Sequence, residues 1–131
     1  MQHKILIVDD EEMIRSVLRT KMELEGYTVV EAEDGEKALR QLEKEEFDLV
    51  ISDIMMPNSD GLELIIRMRK ERPAIPVIAM SSPHNQLFLD SARALGGLGE
   101  LQVIEKPFRL EEIARRVEVL LETPAALRPT L

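Results

Sequence analysis

The chain of 131 residues contains no cysteine and no tryptophan. Lack of cysteine excludes a disulfide framework and a thiolate zinc site. Basic residues are in deficit, with 17 Lys and Arg against 25 Asp and Glu, so we expect no direct contact with nucleic acid. The longest nearly apolar run, residues 74–80, is far shorter than the roughly 20 residues of a membrane span. We therefore expect a cytoplasmic protein without a membrane segment.

Apolar residues make up 44% of the chain and fall into two kinds of pattern. Short unbroken runs rich in Ile, Val and Leu are typical of strands that are buried on both faces, as in a parallel sheet. These predicted strands are Ile5–Val8, Thr28–Val30, Leu49–Ile51, Val77–Met80 and Leu101–Ile104. Each is followed by a segment that we interpret as a helix, and the clearest helical spacing begins at Leu110. Strands alternating with helices indicate an α/β fold with five parallel strands and five helices.

Local signals support this division into elements and indicate a single domain. Gly26 follows the predicted first helix, and Asp34 offers an N-cap for the second. We expect one domain over residues 1–122. Residues 123–131 contain two prolines and little periodicity, and we expect a flexible C-terminal tail there.

Polar side chains lie where the predicted strands end, which is the edge that carries function in such folds. Asp9 and Asp10 follow the first strand, and Asp53 follows the third. Ser81 follows the fourth strand, and Lys106 follows the fifth. The topology is therefore expected to bring three carboxylates, a hydroxyl and an ammonium to one edge of the sheet.

This set of groups suits phosphoryl transfer to a carboxylate. Three neighbouring carboxylates cannot all stay ionised without compensation, and Mg²⁺ prefers such oxygen ligands. A lysine can pair with a carboxylate or with an incoming phosphoryl oxygen. A carboxylate beside these groups is a suitable nucleophile for an aspartyl phosphate. Read alone, the acids of residues 9–12 would equally be typical of a helix N-terminus.

Four motifs lie at the ends of the predicted strands: Ile-Leu-Ile-Val-Asp-Asp-Glu at 5–11, Asp-Ile-Met-Met-Pro-Asn-Ser-Asp-Gly at 53–61, Pro-Val-Ile-Ala-Met-Ser at 76–81 and Lys-Pro-Phe at 106–108. In this order they resemble the receiver domain of two-component response regulators, and the resemblance covers residues 4 to about 122. The resemblance implies a flavodoxin-like, doubly wound parallel sheet of order 2-1-3-4-5 with five helices. It implies a signalling phosphoacceptor that catalyses only its own phosphorylation and dephosphorylation, rather than a conventional enzyme.

The resemblance also implies a role for each site residue. Asp53 would be the phosphoacceptor. Asp9, Asp10, Asp53 and the backbone carbonyl of Met55 would hold Mg²⁺.

Two further residues would contact the phosphoryl group once it is attached. Ser81 would be the switch hydroxyl that bonds a phosphoryl oxygen, and Lys106 would contact the phosphoryl group directly. The resemblance implies a cis peptide bond between Lys106 and Pro107.

Partners follow from the same resemblance. The phosphoryl donor would be a sensor histidine kinase or a histidine phosphotransfer protein. The recipient of the signal would be a downstream protein target or an output domain absent from this chain, with a homodimer as a further candidate.

Two features depart from the family pattern. Val103 stands where an aromatic residue is usual, which puts the usual aromatic switch in question. The glycine-rich stretch Gly96–Gly99 is a few residues longer than the common pattern.

Three alternatives stay open, of which the two departures slightly favour only the first. One is a pseudo-receiver, a protein-interaction module that signals without phosphorylation. Another is a Mg²⁺-dependent phosphatase, although such enzymes commonly need aspartates one residue apart, whereas Asp9 and Asp10 are adjacent. The third is a receiver cut from a longer regulator.

Overall fold

The computed structural model describes residues 2–54, 61–82, 90 and 101–122. The strands are β1 Lys4–Val8, β2 Thr28–Ala32, β3 Leu49–Asp53, β4 Val77–Ser81 and β5 Leu101–Glu105. The helices of the described residues are α1 Glu12–Leu24, α2 Gly35–Lys44, α3 Gly61–Glu71 and α4 Leu110–Glu122. They number four rather than the predicted five, because the helix predicted between β4 and β5 falls in residues 83–100, which are outside the described residues except for Asp90. The Gly96–Gly99 stretch and the tail at 123–131 also lie outside them.

All five strands are parallel and form one sheet of order β2-β1-β3-β4-β5, as predicted. The strand ends differ slightly from the sequence prediction. Asp53 and Ser81 are the last residues of β3 and β4 rather than residues that follow them. Both still lie at the carboxyl edge of the sheet, where the prediction placed them.

The sheet separates two apolar cores, because successive side chains of a strand point to opposite faces. In β1, Ile5 and Ile7 pack into the core covered by α1 and α4. Leu6 and Val8 pack into the other core, which α2 and α3 cover. This two-sided burial explains why the strand sequences are unbroken apolar runs, and it leaves the ends of the strands as the place for polar chemistry.

The predicted signals at two helix ends are confirmed. Gly26 has a φ of 97°, the left-handed conformation that favours glycine, directly after α1. The Asp34 side chain caps α2, because its Oδ1 accepts a hydrogen bond from the backbone N–H of Lys37 at 2.8 Å. In the part of the chain that the structure describes, no helix is both long and apolar enough to cross a membrane.

We expect the Asp34→Ala substitution to lower the free energy of unfolding by about 1 kcal/mol, because it removes the cap of α2. Urea denaturation followed by circular dichroism measures this change. Asp34→Asn is the matched control, since its side-chain oxygen can accept the same hydrogen bond and its stability should stay near that of the wild type. Equal losses in the two variants would contradict the capping role.

Candidate functional site

Asp9 lies directly after β1 and is fully buried. Its backbone N–H donates to the carbonyl of Ala32 at 3.2 Å, which continues the pairing between β1 and β2 by one residue. Its Oδ1 accepts a hydrogen bond from the backbone N–H of Glu11 at 2.8 Å. The Asp9 carboxylate is therefore held at the edge of the sheet, whereas the neighbouring Asp10 is exposed.

Lys106 connects the ends of β1 and β3. Its Nζ lies 3.2 Å from Oδ2 of Asp53 and 3.4 Å from Oδ2 of Asp9. The Asp53 side chain is only 10% exposed and that of Lys106 is 21% exposed, so these contacts are shielded from water. The Lys106–Pro107 peptide bond is cis, as the family resemblance implied.

Of the two remaining predicted site residues, the structure describes Ser81 but not Met55. Ser81 is fully buried at the end of β4, and its hydroxyl donates to the carbonyl of Ser82 at 3.1 Å. The backbone N–H of Lys106 donates to the carbonyl of Ser81 at 2.6 Å, so Ser81 lies beside the lysine along the same edge. Met55 lies outside the described residues.

The three aspartates are suited to a hard divalent cation. Asp9, Asp10 and Asp53 each offer a carboxylate oxygen, and these oxygens lie within 4.8 Å of one another. The ammonium of Lys106 supplies one positive charge to a cluster that can carry three negative charges. Oxygen ligands with this excess of negative charge fit Mg²⁺, which is commonly held by a few carboxylates together with water and phosphate oxygens.

Burial and charge alter the pKa values of two groups in the cluster. Burial raises the pKa of the Asp9 carboxyl above its ordinary value, although the N–H of Glu11 and the ammonium of Lys106 oppose that rise. Burial lowers the pKa of the Lys106 ammonium, but the carboxylates of Asp53 and Asp9 outweigh it, and the pKa is raised. Lys106 therefore stays charged at neutral pH, and the ionised form of Asp9 is disfavoured until a cation compensates for it.

Gly61, the first residue of α3, allows the start of that helix to lie close to the backbone of Asp53. Its N–H donates to the carbonyl of Ile54 at 2.7 Å. A Cβ atom at residue 61 would overlap the carbonyl oxygen of Asp53 and would lie 2.7 Å from its carbonyl carbon. Gly61 ends the motif at residues 53–61, but the motif alone predicted no role for it; the signal in the sequence was a glycine at the first position of a helix that follows the site.

The fold is that of a response regulator receiver domain. The family model of that description matches residues 5–118, which is most of the chain, and the chain therefore belongs to this family.

Similar proteins agree with this assignment. The alkaline phosphatase synthesis transcriptional regulatory protein PhoP of Bacillus subtilis (strain 168) is 35% identical over 130 residues, which are 99% of this chain and 53% of that protein. The transcriptional regulatory protein ResD of the same organism is 38% identical over 120 residues, which are 90% of this chain and 48% of ResD. The chain thus spans about half the length of these curated relatives.

Solved structures show the same likeness. The crystal structure of the receiver domain of NtrX from Brucella abortus matches with a TM-score of 0.80 and 34% sequence identity. That match covers 92% of this chain and 99% of the NtrX chain.

We expect the Gly61→Ala substitution to lower the free energy of unfolding by about 3 kcal/mol, because its methyl group has to displace the backbone of Asp53. Thermal and urea denaturation measure the change. Gly26→Ala is the control: it has a positive φ but open space around its Cβ, and should cost about 1 kcal/mol. A smaller loss for residue 61 than for residue 26 would contradict the steric argument.

We expect the Asp9→Asn substitution to stabilise the protein at pH 7 in chelator, by roughly 1 kcal/mol, because it removes a buried carboxylate whose ionised form is disfavoured, while Asp53 still pairs with Lys106. The pKa of Asp9 is raised in the folded state, so its protonated form favours folding at low pH. That contribution is lost as the pH rises through the raised pKa, and the gain of the variant should therefore grow from about pH 4 upward.

Urea denaturation at a series of pH values tests this dependence. Asp10→Asn is the control, because Asp10 belongs to the same cluster but is exposed, and its gain should be smaller. An Asp9→Asn variant that is less stable than the wild type at pH 7 would contradict the prediction.

Proposed function

We propose that this chain is a phosphoacceptor receiver in a two-component phosphorelay, in which Asp53 takes a phosphoryl group from a phosphohistidine. The observation that carries the proposal is the position of the Lys106 ammonium between the carboxylates of Asp53 and Asp9. These three groups lie at the carboxyl edge of the sheet in a chain that belongs to the receiver family. The donor would be a sensor histidine kinase or a histidine phosphotransfer protein.

The proposed reaction is a direct displacement at phosphorus. A carboxylate oxygen of Asp53 forms a bond to phosphorus while the bond between phosphorus and the imidazole nitrogen breaks. The electron pair leaves with the imidazole nitrogen, which takes up a proton. Lys106 lies 3.2 Å from Asp53 Oδ2 and can turn from the carboxylate to a phosphoryl oxygen. Its positive charge can therefore stabilise the carboxylate before the transfer and the phosphoryl group after it.

We further propose that Asp9, Asp10 and Asp53 hold Mg²⁺ at this site, together with the backbone carbonyl of Met55, which lies outside the described residues. The bound ion would neutralise negative charge shared by the carboxylates and the phosphoryl oxygens. The excess of negative charge in the cluster and the raised pKa of Asp9 support this assignment.

The proposed switch begins at Ser81. Its hydroxyl donates to the carbonyl of Ser82 in this structure, and it would turn to a phosphoryl oxygen after phosphorylation. Val103 is half-buried and packs against the core on the side of α2 and α3. Because a valine has no ring to move inward, we propose that the signal travels through the backbone of β4 and β5 and the surface of α4. The recipient would be a downstream protein or a second copy of the chain.

The relatives suggest what that recipient is in the whole protein. PhoP and ResD are named as transcriptional regulators and are about twice as long as the matched region. We propose that residues 1–122 act as the receiver and that 123–131 form a flexible tail or the start of a linker to an output domain. The cytoplasmic location stays a prediction from the sequence.

The alternatives from the sequence are less well supported. A pseudo-receiver that works without phosphorylation has no need of a half-buried lysine between two carboxylates, and the match to the receiver family does not favour it. A phosphatase is also not favoured, since Asp9 and Asp10 are adjacent. We propose that the catalysis of this chain is limited to its own phosphorylation and dephosphorylation.

Intact-protein mass spectrometry with a small-molecule phosphodonor and Mg²⁺ tests the proposal. We expect the wild type to gain one phosphoryl group, and we expect no adduct with Asp53→Asn or in chelator. Asp48→Asn is the matched control, because Asp48 is an exposed aspartate just before the other end of β3 and its variant should be labelled like the wild type.

The result that overturns the proposal is a wild type that stays unlabelled with both the small donor and a phosphohistidine protein. Labelling of Asp53→Asn at the wild-type rate would overturn it as well. The first outcome would favour a pseudo-receiver, and the second would place the phosphoryl group on another residue.

A further inference from the structure

Arg15 of α1 reaches from the helix to the backbone of the acidic site. Its Nη1 donates to the main-chain carbonyl oxygen of Asp9 at 2.7 Å. Its Nε donates to Oε1 of Glu31, on the neighbouring strand β2, at 3.1 Å. The Arg15 side chain is only 14% exposed, so these are not the loose contacts of a surface residue.

Glu31 is itself held in place. Its other carboxylate oxygen accepts a hydrogen bond from Nη1 of Arg19, one turn further along α1, at 2.8 Å. That bond lowers the pKa of the Glu31 carboxyl, which is therefore ionised at neutral pH. In the sheet Glu31 pairs with Ile7, two residues before Asp9. The guanidinium of Arg15 is thus oriented by a fixed, charged partner on the edge strand.

The carbonyl that Arg15 holds belongs to the peptide unit between Asp9 and Asp10. That unit is planar, so fixing its oxygen fixes the plane that joins the two residues. The side chains of both residues supply oxygens to the three-carboxylate cluster. The hydrogen bond from Arg15 therefore acts on the relative direction of two of the three candidate ligands without touching either carboxylate.

We propose that Arg15, oriented by Glu31, is a positioning residue for the divalent-cation site, because it holds the Asp9–Asp10 peptide in the orientation that points both carboxylates at the cation. This inference rests on the proposed function, since it requires that the cluster bind a cation. Groups that orient metal ligands commonly change metal affinity by about 10- to 100-fold when they are removed.

A positioning role can be distinguished from an electrostatic one, because the positive charge of Arg15 by itself would weaken cation binding. Removing a positive charge near a cation site reduces repulsion and by itself strengthens cation binding. A purely electrostatic or purely stabilising role for Arg15 therefore predicts unchanged or tighter binding in a variant without the charge. The positioning role predicts weaker binding.

The experiment measures binding of Mn²⁺, a cation that shares the preference of Mg²⁺ for carboxylate and water ligands. The electron paramagnetic resonance signal of free aqueous Mn²⁺ falls as the protein binds it, and the titration gives Kd without any phosphorylation. We expect Arg15→Met to raise Kd by about tenfold. Arg19→Met is the matched control: it also removes a positive charge that contacts Glu31, but not a contact to Asp9, and Kd should stay within about twofold of the wild type.

Arg15→Lys is the second variant, in case Arg15→Met does not fold. It keeps the charge but cannot bridge the Asp9 carbonyl and Glu31 with the same planar fork, so we expect Kd to rise by about threefold or more. Circular dichroism melting curves for all variants show which of them are folded at the temperature of the titration.

The outcomes separate this inference from the proposed function. If the wild type and the Arg15 variants bind Mn²⁺ equally tightly, or the variants bind it more tightly, the positioning role is overturned and the cation site stands. If the wild type binds no Mn²⁺, the cation site of the proposed function is overturned and the positioning role with it. Equal weakening in the Arg15 and Arg19 variants would also overturn the positioning role, because it would trace the effect to Glu31 or to α1 as a whole.

Discussion

The structure of the site depends on one half-buried ammonium between two carboxylates. Lys106 meets Asp9 and Asp53 from 97 and 53 residues away in the chain, and the contacts form only because the sheet aligns the ends of β1, β3 and β5. Charges that are removed from water in this way are costly to desolvate, and removing Lys106 would leave the carboxylates of Asp9 and Asp53 without its compensating charge. The arrangement therefore persists only where the surrounding backbone holds all three groups together.

Several features of the fold provide that support. The two apolar cores anchor β1 and β3 on both faces, so the ends of these strands have little freedom. Gly61 lets the start of α3 approach the carbonyl of Asp53 more closely than any side chain would allow. Arg15 holds the peptide between Asp9 and Asp10 from the other side. The backbone thus determines where the side chains of the site lie.

The negative charge of the three carboxylates is only partly compensated, which suits a site that would receive a cation or a phosphoryl group. Burial disfavours the ionised form of Asp9, and Lys106 compensates for only part of the negative charge near it. A cation or a change of charge at Asp53 therefore has a large effect on the balance of interactions here. In the proposed function, this imbalance would allow phosphorylation of Asp53 to bias a larger two-state change. A buried carboxylate whose ionised form is disfavoured opposes folding at neutral pH, a cost that is common at functional sites.

The sequence by itself determined the strands, the class of fold and the place of the chemistry. Unbroken apolar runs such as Ile5–Val8 occur where both faces of a strand are buried, and the acids and Lys106 that follow these runs pointed to one edge of the sheet. Such features are local, because the period of the side chains and the residues at the element ends are visible within a few positions. The individual roles proposed for Asp53, Asp10, Ser81 and Lys106 came from a family resemblance rather than from such patterns.

Only the tertiary structure decided which groups meet. The pairing of Arg15 with Glu31 joins a helix to an edge strand 16 residues away, and an arginine among many charged residues carries no local signal of that contact. The close approach of Gly61 to Asp53 likewise depends on how α3 returns to the sheet. The raised pKa of Asp9 arises from burial. Two adjacent aspartates look alike in the sequence, and only the fold buries Asp9 and leaves Asp10 exposed. These properties depend on packing between distant segments, and packing exists only once the chain is folded.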